Sequence, residues 1–512
     1  MSWAMSWLSW SCLWMLPLTI CSGSGSNILM ITMDGTKSYK IPFGALGRAL
    51  IKRGHRITFV NGFQADFHVD GLLEVTPCRL VQYIRNYTDW DLVDARYAGH
   101  ALLSMGDAMQ YPIEACNSLL SDPATQRLLR HAAAGHTQYQ LAIVDGAFPE
   151  CALGIVHRLN VTAFIYINTV AFYTGSVSLA GNPDAYAVTP HVFASWTLPM
   201  HYLQRVANCL THVIADLLHW VCMQRVHRLL RQHLAWMCHI PMCWLWRCPS
   251  FYKMDTPMCA IPAPVCPMWP GWPASTAVPL SISASWMPSW LEFMAAAPAS
   301  VIYLSMGFSV RSERLPAALC QLFVAVFTRL PHHHVLWTWA GNATEQLPNL
   351  PANVRVRDWL SQQDILGHRR LQLFITHGGL LSQHEAVFHD VLLLMLMPVF
   401  CDYAANAAQA QHDCYARQLE LAQLDEEALY CAIYDVLHND CYRHAVSFVS
   451  YRSLDVLALL LVLLLLVLLA LDVLQTALKS LSGGEARGQQ KFPTASELEL
   501  ELELSLQLEL KL

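Results

Sequence analysis

The chain has 512 residues, of which 54% are apolar and 14% charged, against roughly 25% charged residues in an average soluble domain. This composition excludes a largely disordered chain and a nucleic-acid-binding protein that relies on a basic surface. The net charge of −6, from 32 Lys and Arg against 38 Asp and Glu, is too small to dictate a partner.

The first 24 residues predict a secretory signal peptide. They are apolar up to a patch of small residues that begins at Cys21, and cleavage is expected between Gly23 and Ser26. No Lys or Arg precedes the apolar stretch, which departs from the usual signal. A buried N-terminal helix is the alternative, but four Trp within fourteen residues, without helical spacing, argue against it.

Residues 25–292 predict an α/β domain that opens with a strand–helix–strand unit. Strands are expected at 28–31 and at Arg56–Val60, and between them a helix whose first turn holds Pro42. Such a unit of about thirty residues implies parallel strands. A further buried strand, Leu141–Asp145, ends in a carboxylate.

The Trp- and Pro-rich residues 236–292 show little periodicity and are expected to form an irregular edge of this first domain. The α/β pattern restarts in residues 293–450, with strands predicted at 301–305, 335–339 and 371–376. Two open parallel sheets in tandem leave a cleft at the carboxyl ends of their strands, where ligands bind in such folds.

A single transmembrane helix is expected at residues 455–475. Positions 456–471 are sixteen apolar residues, eleven of them Leu, and form about 24 Å of helix against a hydrocarbon core of roughly 30 Å. Extension to residue 474 gives enough length for the thinner membrane of the endoplasmic reticulum. A buried core helix is the alternative, but this segment has no polar face for water. Basic residues after the span place the tail 476–512 in the cytosol and the body of the chain in the lumen, namely Lys479, Arg487 and Lys491.

Three glycosylation sequons agree with a lumenal body and begin at Asn86, Asn160 and Asn342. Two of the 17 Cys fall in the predicted signal, and the remaining fifteen cannot all pair. Five Cys between residues 238 and 266 have at least four residues between neighbours, unlike the C-x2-C spacing of a zinc site. We therefore predict no metal site.

The segment 359–406 carries the residues that indicate chemistry. His377 and the two glycines after it end a predicted strand and open a helix, so the backbone can approach a ligand and free N–H groups can face an anion. His377 is placed there to donate to a phosphate oxygen. Glu385, about two turns along the helix, can accept from sugar hydroxyls, and Trp359 offers a ring on which a base stacks. Taken alone, the His-Gly-Gly sequence is explained equally well by a tight turn.

In combination, the segment resembles the signature of the UDP-glycosyltransferases, nucleotide-sugar enzymes with two Rossmann-like domains in tandem (the GT-B architecture). The shared motifs are W-x-x-Q, D-I-L, F-I-T-H-G-G, S-x-x-E-A, P-x-F and D-x-x-x-N, in this order. Similar stretches around 48–60, 301–307 and 451–455 extend the resemblance to roughly residues 27–475. The signal, lumenal body and C-terminal span are similar to those of the animal membrane-bound UDP-glucuronosyl- and UDP-glucosyltransferases, of which this chain would be a divergent member.

The resemblance implies transfer of a sugar from a UDP-sugar to the hydroxyl of a small lipophilic acceptor, with inversion at the anomeric carbon and no metal or other cofactor. Trp359 and Gln362 would bind uracil, and Glu385 the ribose. Asp402, with Tyr403 beside it, would face the donor sugar. The diphosphate would lie against small and polar residues, namely Ser305, Gly307, His377, Gly379 and Ser382.

Several residues depart from the family pattern. Tyr39 stands where the family has the His that deprotonates the acceptor, while Asp145 matches the carboxylate that orients this base. A tyrosine, with an ordinary pKa near 10, is almost wholly protonated at neutral pH, and general-base catalysis is worth about 10²–10⁴-fold. Phe308 replaces a small hydroxyl residue, Tyr403 replaces a Gln, and the stretch between residue 450 and the span is short. The alternative function is a catalytically impaired homologue that binds UDP-sugar or partner transferases without efficient turnover.

These features predict a single-pass protein of the endoplasmic reticulum membrane, with its body in the lumen and its C-terminus in the cytosol. Homo- or hetero-oligomers with related transferases are left open, and no nucleic-acid partner is expected.

Overall fold

The structure, a computed structural model, describes residues 25–450 with gaps at 34, 65–68, 89–104, 162, 168–185, 188, 192–193, 195, 235–287, 308–309, 311, 348 and 397–401. Gly25–Leu454 is one compact unit. The predicted signal peptide, membrane span and tail lie outside the described residues, as do Phe308 and most of segment 236–292.

The first half of this unit is built on a five-stranded parallel sheet. Its strands are β1 (Asn27–Ile31), β2 (Arg56–Val60), β3 (Leu72–Val75), β4 (Leu141–Asp145) and β5 (Phe164–Ile167). They lie in the order β3-β2-β1-β4-β5, with every neighbouring pair parallel. The helices described in this half are α1 (Lys37–Lys52), α2 (Cys78–Thr88), α3 (Met105–Ser121), α4 (Pro123–Ala133), α5 (Pro149–Arg158) and α6 (Tyr202–Leu234).

The second half is built on a six-stranded parallel sheet. Its strands are β6 (Ser300–Ser305), β7 (His333–Thr338), β8 (Val354–Arg357), β9 (Leu371–Thr376), β10 (Leu392–Leu396) and β11 (Ala416–Leu419). They lie in the order β11-β10-β9-β6-β7-β8, all parallel. The helices described here are α7 (Pro288–Ala295), α8 (Ala317–Thr328), α9 (Ala343–Gln346), α10 (Gln362–Leu366), α11 (Leu380–Phe388), α12 (Tyr403–His412) and α13 (Glu426–His438).

The prediction of two parallel α/β sheets in tandem is confirmed. All six residues of β6 are buried, and so are the last four of β1, because helices cover both faces of a parallel sheet and favour continuous apolar strands. The core of the second half centres on Trp337, whose ring packs edge-on against Phe323 and Phe327. Helix α7 joins the same core through Trp290, so this half includes residues that the sequence analysis assigned to the first.

Each sheet has one point at which the strand order reverses, and these two points position the candidate site. The reversal falls between β1 and β4 in the first sheet and between β6 and β9 in the second. A crevice opens at the carboxyl ends of the two strands that flank such a point. Asp145 ends β4, Ser305 ends β6 and His377 follows β9, so all three lie at these crevices.

Helix α1 begins at Lys37, five residues before Pro42, so Pro42 lies in the second turn rather than in the first turn as predicted. A buried ion pair fixes this extra turn, because Lys40 Nζ lies 2.6 Å from Glu74 Oε1 and 2.8 Å from the carbonyl oxygen of Gln64. Asn61 Nδ2 donates to the same Glu74 oxygen over 3.1 Å. The pair therefore joins the start of α1, which carries Tyr39, to the ends of β2 and β3.

Removal of one partner of this pair is predicted to destabilise the first half strongly. The side chains of Lys40 and Glu74 are only 6% and 9% exposed, and Lys40→Met or Glu74→Gln leaves the other group buried without its partner. We expect a loss of about 3–5 kcal/mol in the free energy of unfolding, measured by chemical denaturation. The double variant Lys40→Met/Glu74→Met should lose less than the two single variants together.

A surface pair supplies the matched control. Arg329 and Glu427 are joined over 2.9 Å, but their side chains are 36% and 67% exposed. Because water screens this pair, Arg329→Gln should lower the free energy of unfolding much less than either single variant of the buried pair. Equal losses in the Lys40 and Arg329 variants would contradict the assignment of a structural role to the buried pair.

Candidate active site at the strand-order reversals

His377 follows β9 and packs against two glycines from different parts of the chain. A Cβ atom at Gly307 would lie 2.5 Å from His377 Cε1, and one at Gly379 would lie 2.6 Å from His377 Nε2. Gly307 also has a φ of +67°, which L side chains rarely adopt. Only glycine at these two positions leaves room for the imidazole ring.

The surroundings of His377 keep its ring neutral. Burial lowers the pKa of His377 to about 4, so the imidazole carries no charge at neutral pH. Its Nδ1 lies 3.3 Å from Thr376 Oγ1, and the ring packs edge-on against Tyr403 with 4.8 Å between centroids. A neutral imidazole still has one N–H to donate, and which nitrogen carries it depends on the tautomer.

Helix α11 starts at Leu380, three residues after His377. Its N-cap is Gly379, which has no side chain to accept from the N–H groups of the first turn. Ser305, at the end of β6, pairs with Thr376 at the end of β9, and Gly307 N donates to Ser305 Oγ over 3.4 Å. Backbone N–H groups, a hydroxyl and a neutral imidazole therefore converge at one crevice, an arrangement suited to an anion.

Glu385 lies further along α11 and is held by amide side chains. Gln362 Nε2 donates to Glu385 Oε2 over 2.7 Å, and Gln363 Nε2 donates to Oε1 over 3.1 Å. The Gln362 amide also lies 3.2 Å from Ser382 Oγ. Burial raises the pKa of Glu385, and the two amide donors oppose that rise. The structure thus brings together Gln362, Ser382 and Glu385, and it adds Gln363, which the sequence analysis missed.

Trp359 precedes the first residue of α10, Gln362, by three positions and is 54% exposed. Lys37 Nζ of α1 lies 5.6 Å from the centroid of its ring. Lys37, a residue of the first half, therefore contacts the Trp359 ring of the second half, which was predicted to stack against a base. Sequence reasoning had no signal for this contact, because the two residues belong to different halves of the unit and are more than 300 positions apart in the chain.

Asp402 and Tyr403 are both buried at the start of α12. Asn406 Nδ2 donates to Asp402 Oδ2 over 3.0 Å, one helical turn away. Asn406 is the last residue of the D-x-x-x-N motif, but the sequence analysis selected only Asp402 from this motif as a site residue. Tyr403, predicted to lie beside the donor sugar, packs its ring against His377.

In the first half, Asp145 is buried at the reversal between β1 and β4. Its Oδ2 accepts from Thr32 Oγ1 over 3.3 Å, and its Oδ1 accepts from Ala147 N over 3.0 Å. Tyr39 lies in the first turn of α1, and its backbone N–H donates to Thr36 O over 3.2 Å. Thr32 was not selected from the sequence. Within the described part of the chain, no group of three His, Cys, Asp or Glu is arranged to hold a metal ion.

The fold defines a class of protein. The structure superposes on a crystal structure of a variant of Os79 from O. sativa in complex with UDP, with a TM-score of 0.51 at 15% identity, over 83% of this chain and 94% of that chain. The match shows that the two sheets form the GT-B fold of glycosyltransferases.

The sequence comparison gives the family. Residues 78–452 match the family model described as UDP-glucoronosyl and UDP-glucosyl transferase, and the chain belongs to this family. It is 25% identical to UDP-glycosyltransferase UGT5 of Dactylopius coccus over 335 residues, which cover 64% of this chain and 61% of that protein. It is 23% identical to UDP-glucuronosyltransferase 3A1 of Xenopus laevis over 454 residues, 83% of this chain and 80% of that protein. The low identities show a divergent member.

Gly379→Ala is predicted to weaken UDP binding about tenfold, the worth of one hydrogen bond to a charged group. Gly379 has an ordinary φ of −63°, so the added methyl group acts by displacing the His377 ring rather than by straining the backbone. Isothermal titration calorimetry with UDP measures the change. Gly44→Ala in α1 is the control, because its Cβ would meet no atom nearer than 3.9 Å. The same Kd for the Gly379 variant and the unmodified protein would show that this ring does not contribute to binding.

Proposed function

We propose that this protein transfers a sugar from a UDP-sugar to the hydroxyl of a small lipophilic acceptor, with inversion at the anomeric carbon and without a metal cofactor. The observation that carries the proposal is the convergence of His377, the N-terminus of α11 and Glu385 at one crevice. Membership of the family agrees with it.

The donor would be bound by groups that are in place before it arrives. The neutral His377 and the first N–H groups of α11 donate to the diphosphate, and they stabilise the negative charge that grows on it as the sugar–phosphate bond breaks. The Glu385 carboxylate accepts from ribose hydroxyls. Trp359 stacks against uracil, and Lys37 of α1 lies 5.6 Å from the centroid of the same Trp359 ring. Asp402, fixed by Asn406, accepts from hydroxyls of the donor sugar.

The acceptor hydroxyl attacks the anomeric carbon from the side opposite the diphosphate, and its proton must pass to a base. Tyr39 holds the position of that base. Asp145 lies at the neighbouring reversal with its carboxylate oriented by Thr32 and by the N–H of Ala147. A carboxylate at this point either orients the base or accepts the proton itself.

A second candidate function is favoured by Tyr39 itself. Since a tyrosine is a poor base at neutral pH, a protein with an intact donor crevice and this residue would bind UDP-sugar, or associate with active transferases, without efficient turnover. Such a protein would act by regulating its relatives.

The proposed location is the membrane of the endoplasmic reticulum, with residues 25–450 in the lumen. Cys116 of α3 and Cys151 of α5 form a disulfide, which is typical of an oxidising compartment. The three sequon residues Asn86, Asn160 and Asn342 are exposed and so accessible to glycosylation. The predicted signal peptide and membrane span agree with this location, which also allows association with related transferases.

Tyr39→His is predicted to raise the rate of sugar transfer by about 10²-fold, the lower end of the worth of a general base. The measurement uses microsomes that contain the full chain, a panel of UDP-sugars, and phenols and steroids as acceptors. Tyr39→Phe is the matched control, because it keeps the ring and supplies no base.

The outcomes separate the two candidates. An unchanged rate in the His variant would show that Tyr39 does not hold the base position. If neither protein transfers sugar from any UDP-sugar while UDP still raises the melting temperature, the second candidate function is correct.

A further inference from the structure

Helix α6 carries a row of exposed apolar side chains along one face. They recur at steps of three or four residues, apart from one adjacent pair, and each residue is between 42% and 69% exposed. We call this row the apolar stripe, and it consists of Leu203, Val206, Leu210, Val213, Ile214, Leu217 and Val221. At 1.5 Å per residue the stripe is about 27 Å long. A soluble surface rarely exposes so long a continuous apolar row without a partner.

The opposite face of α6 is part of the core of the first half. Its buried side chains pack with those of α3 and α5, and they include Cys222, Met223, Val226, Leu230 and Leu234. By length and composition alone α6 could cross a membrane. The packing of one face against the protein is instead suited to a helix that lies along a surface with its other face outward.

Positive charge continues the stripe toward the end of α6. Arg225, Arg228 and Arg231 follow Val221 at the same steps of three or four residues and are exposed. The one acidic residue of α6 is Asp216, whose carboxylate accepts from Tyr186 Oη. The outward face of this helix is therefore apolar at one end and cationic at the other.

We propose that α6 lies on a phospholipid membrane, with the apolar stripe among the upper acyl chains and the three arginines against anionic headgroups. An interfacial helix is bound to a membrane by the apolar area that it buries and by its electrostatic attraction to anionic lipids. A second copy of the chain fits less well, because parallel pairing would bring three arginines against three. The stripe also offers no acidic side chain that could pair with the arginines of a partner copy. The proposed contact uses none of the residues assigned to the predicted span or to the donor crevice.

Lipid photo-crosslinking of the full chain tests the proposal. The protein is reconstituted in phosphatidylcholine vesicles, with and without phosphatidylserine, that contain a diazirine-bearing phospholipid. Trypsin cuts after Arg205 and Arg225, so the single peptide 206–225 contains all of the stripe except Leu203. Mass spectrometry then compares lipid adducts on this peptide with those on 418–443, which contains the exposed Tyr434 of the second half.

The expected result is lipid adducts on 206–225 and none on 418–443. Leu210→Ser/Val213→Ser/Leu217→Ser should reduce adducts on 206–225 to the level of the control peptide without changing the thermal unfolding midpoint, because all three side chains face outward. Arg228→Gln/Arg231→Gln keeps both cleavage sites. It should lower the adduct yield in phosphatidylserine vesicles about fivefold or more, and leave it unchanged in phosphatidylcholine alone.

Three results would overturn all or part of the proposal. Equal adduct yields on 206–225 and 418–443 would show that the stripe is not in lipid. A protein–protein cross-linker that joins 206–225 of two copies, with no lipid adduct on that peptide, would assign the stripe to self-association instead. If the arginine variant behaves like the unmodified protein in both vesicles, the headgroup contact is wrong.

Discussion

The imidazole of His377 fills the space between Gly307 and Gly379, and the donor crevice depends on this packing. The residues meet because β6 and β9 are neighbours at the reversal of the second sheet, so distant parts of the chain end at the same edge. Either glycine with a Cβ atom would displace the ring. The contact of His377 with these two glycines therefore depends on the strand order of the sheet. Gly379 is also the N-cap of α11, so the same contact lies at the start of that helix.

Burial acts in opposite directions on two titratable groups of this crevice, His377 and Glu385. It lowers the pKa of His377 to about 4 and leaves a neutral hydrogen-bond donor. It raises the pKa of Glu385, whose carboxylate is met by Gln362 and Gln363. The amide donors oppose this rise, because hydrogen bonds to the carboxylate favour its ionised form, and they do so without adding charge. Under the proposed function, His377 donates to the phosphates of the nucleotide and Glu385 accepts from its ribose, and both groups are oriented before binding.

The hydrophobic pattern of the sequence predicted the strands and helices whose bounds depend on neighbouring residues in the chain. The bounds of β9 follow from its apolar run, which is buried on both faces. The early start of α1 was missed because the ion pair of Lys40 with Glu74 fixes it across strands. Lys37 was missed for a similar reason, since its contact with Trp359 joins the two halves. The outward face of α6 was also missed, because a helix that is apolar on two sides has no single amphipathic face to detect.

The most direct test of the donor crevice is calorimetric binding of UDP and of 2′,3′-dideoxy-UDP to the unmodified protein and to Glu385→Ala. If Glu385 accepts from the ribose hydroxyls, the unmodified protein should prefer UDP by about tenfold or more, and the variant should bind the two nucleotides equally. The same preference in both proteins would contradict the account, because it would show that another part of the chain recognises the ribose.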